Sequence, residues 1–97
     1  MDDEYLAKKL IPYPLPTKDG GTLRTIDDAR DYILVLSKTR KRRAHWKRAS
    51  LLLLQGAGAA AVTRQVQVAL FMDGKLDATF EHMSNARRWR AYKQEED

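Results

Sequence analysis

The sequence predicts an all-α fold, a small bundle of three helices with flexible tails at both ends. Two observations support this prediction. Apolar residues recur at three- and four-residue spacing through the middle of the chain, which is typical of amphipathic helices. Glycines fall between these periodic stretches, and all three prolines precede residue 17. The same pattern allows a fourth, short C-terminal helix from about residue 76.

The 97 residues form one domain at most. We divide them into a flexible, proline-containing N-terminal arm (1–24), a helical domain (25–84) and a disordered or frayed tail (85–97). In the arm, prolines at every second position of "LIPYPLPT" favour extended backbone. Such a segment is either a ligand for an aromatic groove or an arm that packs on the domain, and we favour the second interpretation. The residues expected to pack are Ile11, Tyr13 and Leu15.

The first helix is predicted near 25–37. Thr25 is suited to the N-cap, and Asp28 lies three residues later, in the position of a capping box. No apolar residue occurs from Ser37 to Arg43, so we expect a break between the first two helices in this stretch. Thr39 is a candidate to cap the helix that follows.

The second and third helices are predicted near 41–56 and 59–73. "QGAGAA" supplies a glycine suited to the left-handed position that follows a helix, and "DG" ends the third helix in the same way. Residues 62–71 are ambiguous, because their alternating apolar residues also suit a strand. We favour a helix, since the apolar run is long for a strand. The residues expected in the core are Ala29, Ile33, Leu36, Trp46, Leu53, Val62, Val66 and Leu70.

The strongest feature of the sequence is a basic segment that directly precedes four leucines. Seven of the eleven residues from 38 to 48 are Lys or Arg, and no Asp or Glu occurs between Tyr32 and Met72. The whole chain has a net charge of +5. Such a positive field attracts nucleic acid, anionic lipid or an acidic protein. The candidate nucleic-acid-binding residues are Lys38, Arg40, Lys41, Arg42, Arg43, Lys47 and Arg48.

Helix electrostatics favour a functional interpretation of this segment. Positive charge is unfavourable at a helix N-terminus, yet Arg42 and Arg43 are expected in the first turn of the second helix. A local rule that is broken without visible compensation often marks a functional site. Trp46, within the basic segment, could stack on an unpaired base, although its register with Ser50 and Leu53 favours a place in the core.

We therefore expect a small, non-enzymatic binding module that contacts nucleic-acid phosphates through a basic helix over 38–48. The alternative is a protein–protein adaptor that docks an acidic partner or self-associates through its surplus leucines. A helix-turn-helix around Gly74 fits poorly, because Asp73 is polar where an apolar residue is expected. A second basic cluster follows toward the C-terminus and consists of Arg87, Arg88 and Arg90.

The residue pattern predicts no enzyme, no metal site and no cofactor. The chain has no cysteine, which excludes disulfides and a thiolate nucleophile, and it lacks a glycine-rich phosphate-binding motif. His45 and His82 are expected at the surface without a third metal ligand. A catalytic site would need a pocket in which one of these histidines lies beside a carboxylate. The acidic N-terminus and the short apolar runs predict a soluble cytoplasmic protein without a signal peptide or membrane span.

Overall fold

The computed structural model describes residues 2–77, which form five helices and one two-stranded antiparallel sheet. In chain order the elements are α1 (Asp3–Leu6), β1 (Leu15–Pro16), β2 (Thr22–Leu23), α2 (Ile26–Leu34), α3 (Lys38–Lys41), α4 (Ala44–Leu54) and α5 (Ala59–Met72). The fold is mostly helical, as predicted. Most of the predicted fourth helix, the predicted tail 85–97, His82 and the second basic cluster lie outside the described residues.

The small sheet is the feature that the all-α prediction missed. β1 and β2 pair antiparallel, with Leu15 opposite Leu23. The Thr17 hydroxyl closes the turn between them by donating to the Gly21 carbonyl at 2.6 Å, and Gly21 has a φ of 74°, which favours glycine. Strands of two residues leave no alternation in the sequence for pattern analysis to detect.

The segment predicted as a flexible arm, 1–24, packs against the helices. Three of its leucines are buried in the core: Leu10, Leu15 and Leu23. Of the residues expected to pack, Leu15 is fully buried, Tyr13 is half-buried and Ile11 is exposed. This apolar burial compensates for the entropy lost when the backbone is ordered.

α2 begins with the capping box that the sequence predicts. The Thr25 hydroxyl accepts a hydrogen bond from the Asp28 backbone N–H at 3.2 Å, and the Asp28 carboxylate accepts one from the Thr25 N–H at 3.2 Å. The helix ends at Leu34, three residues earlier than predicted. The expected break is present, but a separate short helix, α3, occupies it. Ser37 caps α3 in place of Thr39, because its hydroxyl accepts from the Arg40 N–H at 3.3 Å.

α4 and α5 form an antiparallel helical pair that makes the most extensive contact in the fold, and α2 packs on both. Each of the two helices ends at a glycine with a φ of 68°, Gly56 and Gly74. The next N–H reaches back five residues, from Ala57 to the Leu52 carbonyl at 2.9 Å in α4, as in a Schellman motif. The ambiguous residues 62–71 are helical.

The core contains every residue that the sequence placed there, since all eight are buried. The remaining buried apolar residues come from the N-terminal segment and from the helix faces beside the predicted ones: Leu10, Leu15, Leu23, Ile26, Tyr32, Ala49, Ala69 and Leu76. This single core fixes α4 against α5, whereas α3 contributes no buried residue and contacts α4 from outside the core.

Candidate nucleic-acid interface

The seven candidate residues lie on two successive helices and the link between them. Three are on α3, two on α4, and the remaining two, Arg42 and Arg43, cap the end of α3 and the start of α4. α3 and α4 contact each other. The predicted single basic helix over 38–48 is therefore two helices, and their side chains divide into two groups with different surroundings.

Arg40 and Arg43 form the first group, because both bind the carboxylate of Asp73. Arg40 Nε lies 2.6 Å from Asp73 Oδ2, and Arg43 Nη1 lies 2.6 Å from Asp73 Oδ1. The Arg40 side chain is only 17% exposed, and it also donates to the Tyr32 hydroxyl at 2.9 Å and to Asp19 at 3.3 Å. Arg43 remains 45% exposed. Arg40 thus serves the fold rather than the surface.

Asp73 is the centre of this arrangement, and its side chain is 1% exposed. Each carboxylate oxygen accepts from two donors. In addition to the two arginines, the Trp46 indole Nε1 donates to Oδ2 at 2.7 Å, and His45 Nε2 lies 2.8 Å from Oδ1. Asp73 caps the C-terminus of α5 directly before Gly74. The end of α5 is thereby joined to α3 and to the first turn of α4.

The pKa of the Asp73 carboxyl reflects these donors. Burial by itself raises the pKa, because it disfavours the charged form. The hydrogen bonds from Trp46, Arg40, Arg43 and His45 outweigh burial and hold the pKa of Asp73 well below its usual range. The carboxylate is therefore ionised at neutral pH.

Asp73 also compensates for the unfavourable positive charge at the N-terminus of α4, for which the sequence shows no nearby acid. α4 has no side-chain cap and no acidic residue in its first turn, and its N-cap is Arg43. A carboxylate held beside that first turn is favourable for the helix dipole. The placement of Arg42 and Arg43 at a helix start is thus explained by a residue about thirty positions later, and it does not by itself indicate a functional site.

Five candidates form the second group, which we call the basic surface: Lys38, Lys41, Arg42, Lys47 and Arg48. All are exposed, and none makes an ion pair with another residue of the described range 2–77. Lys38 and Arg42 are four residues apart, and the N–H of the latter bonds the carbonyl of the former at 3.2 Å, so they share a face of α3. Lys47 and Arg48 lie on the side of α4 away from the core.

Trp46 and His45 are both too buried to contact a nucleic-acid base directly. Trp46 is buried, as its register predicts, and its ring lies 5.6 Å from that of Tyr32 between centroids. It is therefore not accessible to a base. His45, expected at the surface, is half-buried against Asp73. His45 lies beside a carboxylate, but neither His45 nor Asp73 lines the open pockets that the described residues form around α1, α2 and the end of α4.

Within residues 2–77, no group of three His, Asp or Glu side chains is placed to hold a metal ion. None of the helices in the same range is long and apolar enough to cross a membrane. No family model, curated protein or solved structure matches the chain. Function is consequently inferred from the chemistry of the site.

Sequence reasoning missed the role of Asp73, although one signal pointed to it. Asp73 is the first acidic residue after a stretch of 41 residues without one, from 32 to 72, and it stands where a helix-turn-helix would place an apolar residue. An acid at a core-facing position after a basic stretch indicates a buried ion pair. Its partners were not predictable, because they depend on how α5 packs on α4.

Proposed function

We propose that this protein is a non-enzymatic nucleic-acid-binding module whose basic surface contacts phosphates. The observation that carries the proposal is that five Lys and Arg side chains are exposed within eleven residues and are free of ion pairs with other described residues. Unpaired cations on successive helices attract a polyanion, and each phosphate they neutralise releases a counterion. Arg43 can add a weaker contact, because half of its side chain remains in solvent.

The burial of Asp73 supports this proposal. A carboxylate on the surface beside these residues would offer them an internal partner and weaken their attraction for phosphate. Asp73 instead lies inside, where it binds Arg40 and Arg43, and within residues 2–77 none of the other five forms an ion pair with an acid. The positive field of the basic surface is therefore not neutralised by the residue that anchors it.

A titration of labelled DNA or RNA oligonucleotides at two salt concentrations tests the proposal. If about five phosphates are neutralised, affinity falls roughly 100- to 500-fold between 50 and 200 mM salt. The double variant Lys41→Ala with Arg42→Ala removes two of these contacts, so the slope of log affinity against log salt should become shallower by roughly 1.4 to 1.8.

A matched control removes the same charge from another part of the surface. Lys9 and Arg24 are exposed and lie next to the start of α2, a helix length from α3. The variant Lys9→Ala with Arg24→Ala should therefore keep the wild-type salt slope. The proposal is rejected if no oligonucleotide binds at low salt, or if both double variants change the slope equally.

The exposed leucines of α4 favour a second candidate function, a protein–protein adaptor. Leu51 and Leu54 lie three residues apart on the solvent side of the helix, next to the basic surface. An acidic amphipathic partner, or a second copy of the chain, would cover apolar and charged groups together. Sedimentation of the wild type and of Leu51→Ser with Leu54→Ser tests self-association. Binding of an acidic polypeptide in preference to an oligonucleotide would favour this candidate.

A further inference from the structure

The described aromatic side chains differ sharply in their exposure. Tyr32 and Trp46 are buried, and Tyr5 and Tyr13 are half-buried. Phe71 is 71% exposed, which makes it the most exposed aromatic residue in the range 2–77. An exposed phenylalanine contributes little to the core. The Phe71 ring on the outer side of α5 is therefore a candidate binding contact.

Phe71 lies at the same end of the molecule as the basic surface. The last turns of α5 run beside the first turn of α4, because Gln65 Nε2 donates to the His45 carbonyl at 3.0 Å and Asp73 binds Arg43. Phe71 is in the helical segment between these two anchor points, Gln65 and Asp73. Its ring is thus held by a rigid element close to where the basic residues begin.

The neighbours of Phe71 extend this apolar surface. Val68, three residues before Phe71, and Met72, directly after it, are both exposed on the solvent side of α5. The result is a small apolar platform of one aromatic and two aliphatic side chains, at the end of α5 that lies by the start of α4. Cations that follow a phosphate backbone, combined with an exposed ring, are what proteins use to bind single-stranded nucleic acid.

We infer that the basic surface takes single-stranded nucleic acid, with an unpaired base stacked on Phe71. The inference rests on the proposed function and specifies its ligand. A duplex hides the faces of its bases within the stack, whereas a single strand presents a flat face at every nucleotide. Stacking does not distinguish base identity, so binding is tolerant of sequence.

The experiment compares a single-stranded oligonucleotide with the duplex of the same sequence, using the full chain and four proteins: wild type, Phe71→Leu, Phe71→Trp and Ile11→Ala. Phe71→Leu keeps an apolar side chain but removes the ring, so single-strand affinity should fall about ten-fold while duplex affinity changes little. Phe71→Trp should retain or increase the affinity for the single strand. Neither variant alters a charge, so the salt slope should stay the same. Ile11→Ala, an exposed apolar control in the N-terminal segment, should bind as the wild type does.

The outcomes separate this inference from the proposed function. Equal binding of both oligonucleotides, with no effect of Phe71→Leu, would overturn the stacking role and leave the phosphate-binding function in place. No binding of either oligonucleotide would overturn both. A further arm uses vesicles that contain anionic lipid. Phe71-dependent binding to these vesicles, without binding to the single strand, would overturn the inference in favour of a lipid surface. Circular dichroism confirms that each variant is folded, as expected for a side chain in solvent.

Discussion

Replacing Asp73 with asparagine is the most direct test of how the basic segment is held in place. Asp73→Asn keeps the size and shape of the side chain but removes its negative charge. One carboxylate oxygen becomes an NH₂ group, which would face N–H donors instead of accepting from them. Arg40, with a side chain only 17% exposed, would keep its charge near the protein interior without its closest anion.

The size of the effect follows from burial and from the number of donors. Breaking a buried ion pair by removing one partner costs about 3–5 kcal/mol. The Asp73 side chain is 1% exposed, so solvent screens it little, but Arg43 is 45% exposed and its share must be discounted. We therefore expect the free energy of unfolding to fall by about 3 kcal/mol, which lowers Tm by roughly 12–24 °C for a domain of this size.

Thermal and urea unfolding, followed by circular dichroism, measure this loss. The matched control is Asp27→Asn. Asp27 pairs with Arg30 at 3.5 Å, but its side chain is 48% exposed, so the control should lose less than about 0.5 kcal/mol. If Asp73→Asn also lost less than about 1 kcal/mol, the carboxylate would not be anchoring α3 and α4, and the reasoning about the buried charge would be refuted.

Two further predictions follow from the same contacts and from the N-terminal packing. The pKa of Asp73 is lower in the folded chain than the ordinary 3.8 expected on unfolding, so the ionised carboxylate contributes its full stabilisation above 3.8 and loses it as pH falls towards the folded pKa. The wild type should therefore lose stability from about pH 5 downward. In urea titrations at a series of pH values, the stability of Asp73→Asn should depend less steeply on pH. Leu15→Ala should lower the free energy of unfolding by about 2–5 kcal/mol in the same urea assay, because Leu15 is fully buried. The control Ile11→Ala, at an exposed position, should lower it by less than about 1 kcal/mol. Equal losses in the two variants would contradict the packing of the N-terminal segment.

The helices were predictable because their signals are local. The capping box at Thr25 and Asp28 involves residues three apart, and the glycines that end α4 and α5 directly follow the helices they terminate. Apolar spacing likewise identified all the expected core residues, since a helix face is defined within a few turns. None of these features depends on where other elements of the chain lie.

The hairpin and the enclosed histidine were not predictable in the same way. The hairpin depends on Leu15 and Leu23 reaching a core formed later in the chain, and a strand of two residues has no periodicity. The half-burial of His45 depends on Asp73, which is 28 residues away. Neither contact has a counterpart in local sequence spacing, because each is set by how α5 and the N-terminal segment pack on α4.

The basic segment shows why charge in a sequence is a weaker guide than charge in a structure. Seven neighbouring cations look alike in one dimension, but helical geometry turns Arg40 inward while Lys41 and Arg42 remain in solvent. The outward group is fully available to a partner and Arg43 partly so, and the helices that carry them are held together because Arg40 and Arg43 bind Asp73. A structural and a binding role are therefore not competing explanations of this segment. The buried carboxylate accounts for two of the cations, and the proposed binding function rests on the remaining five.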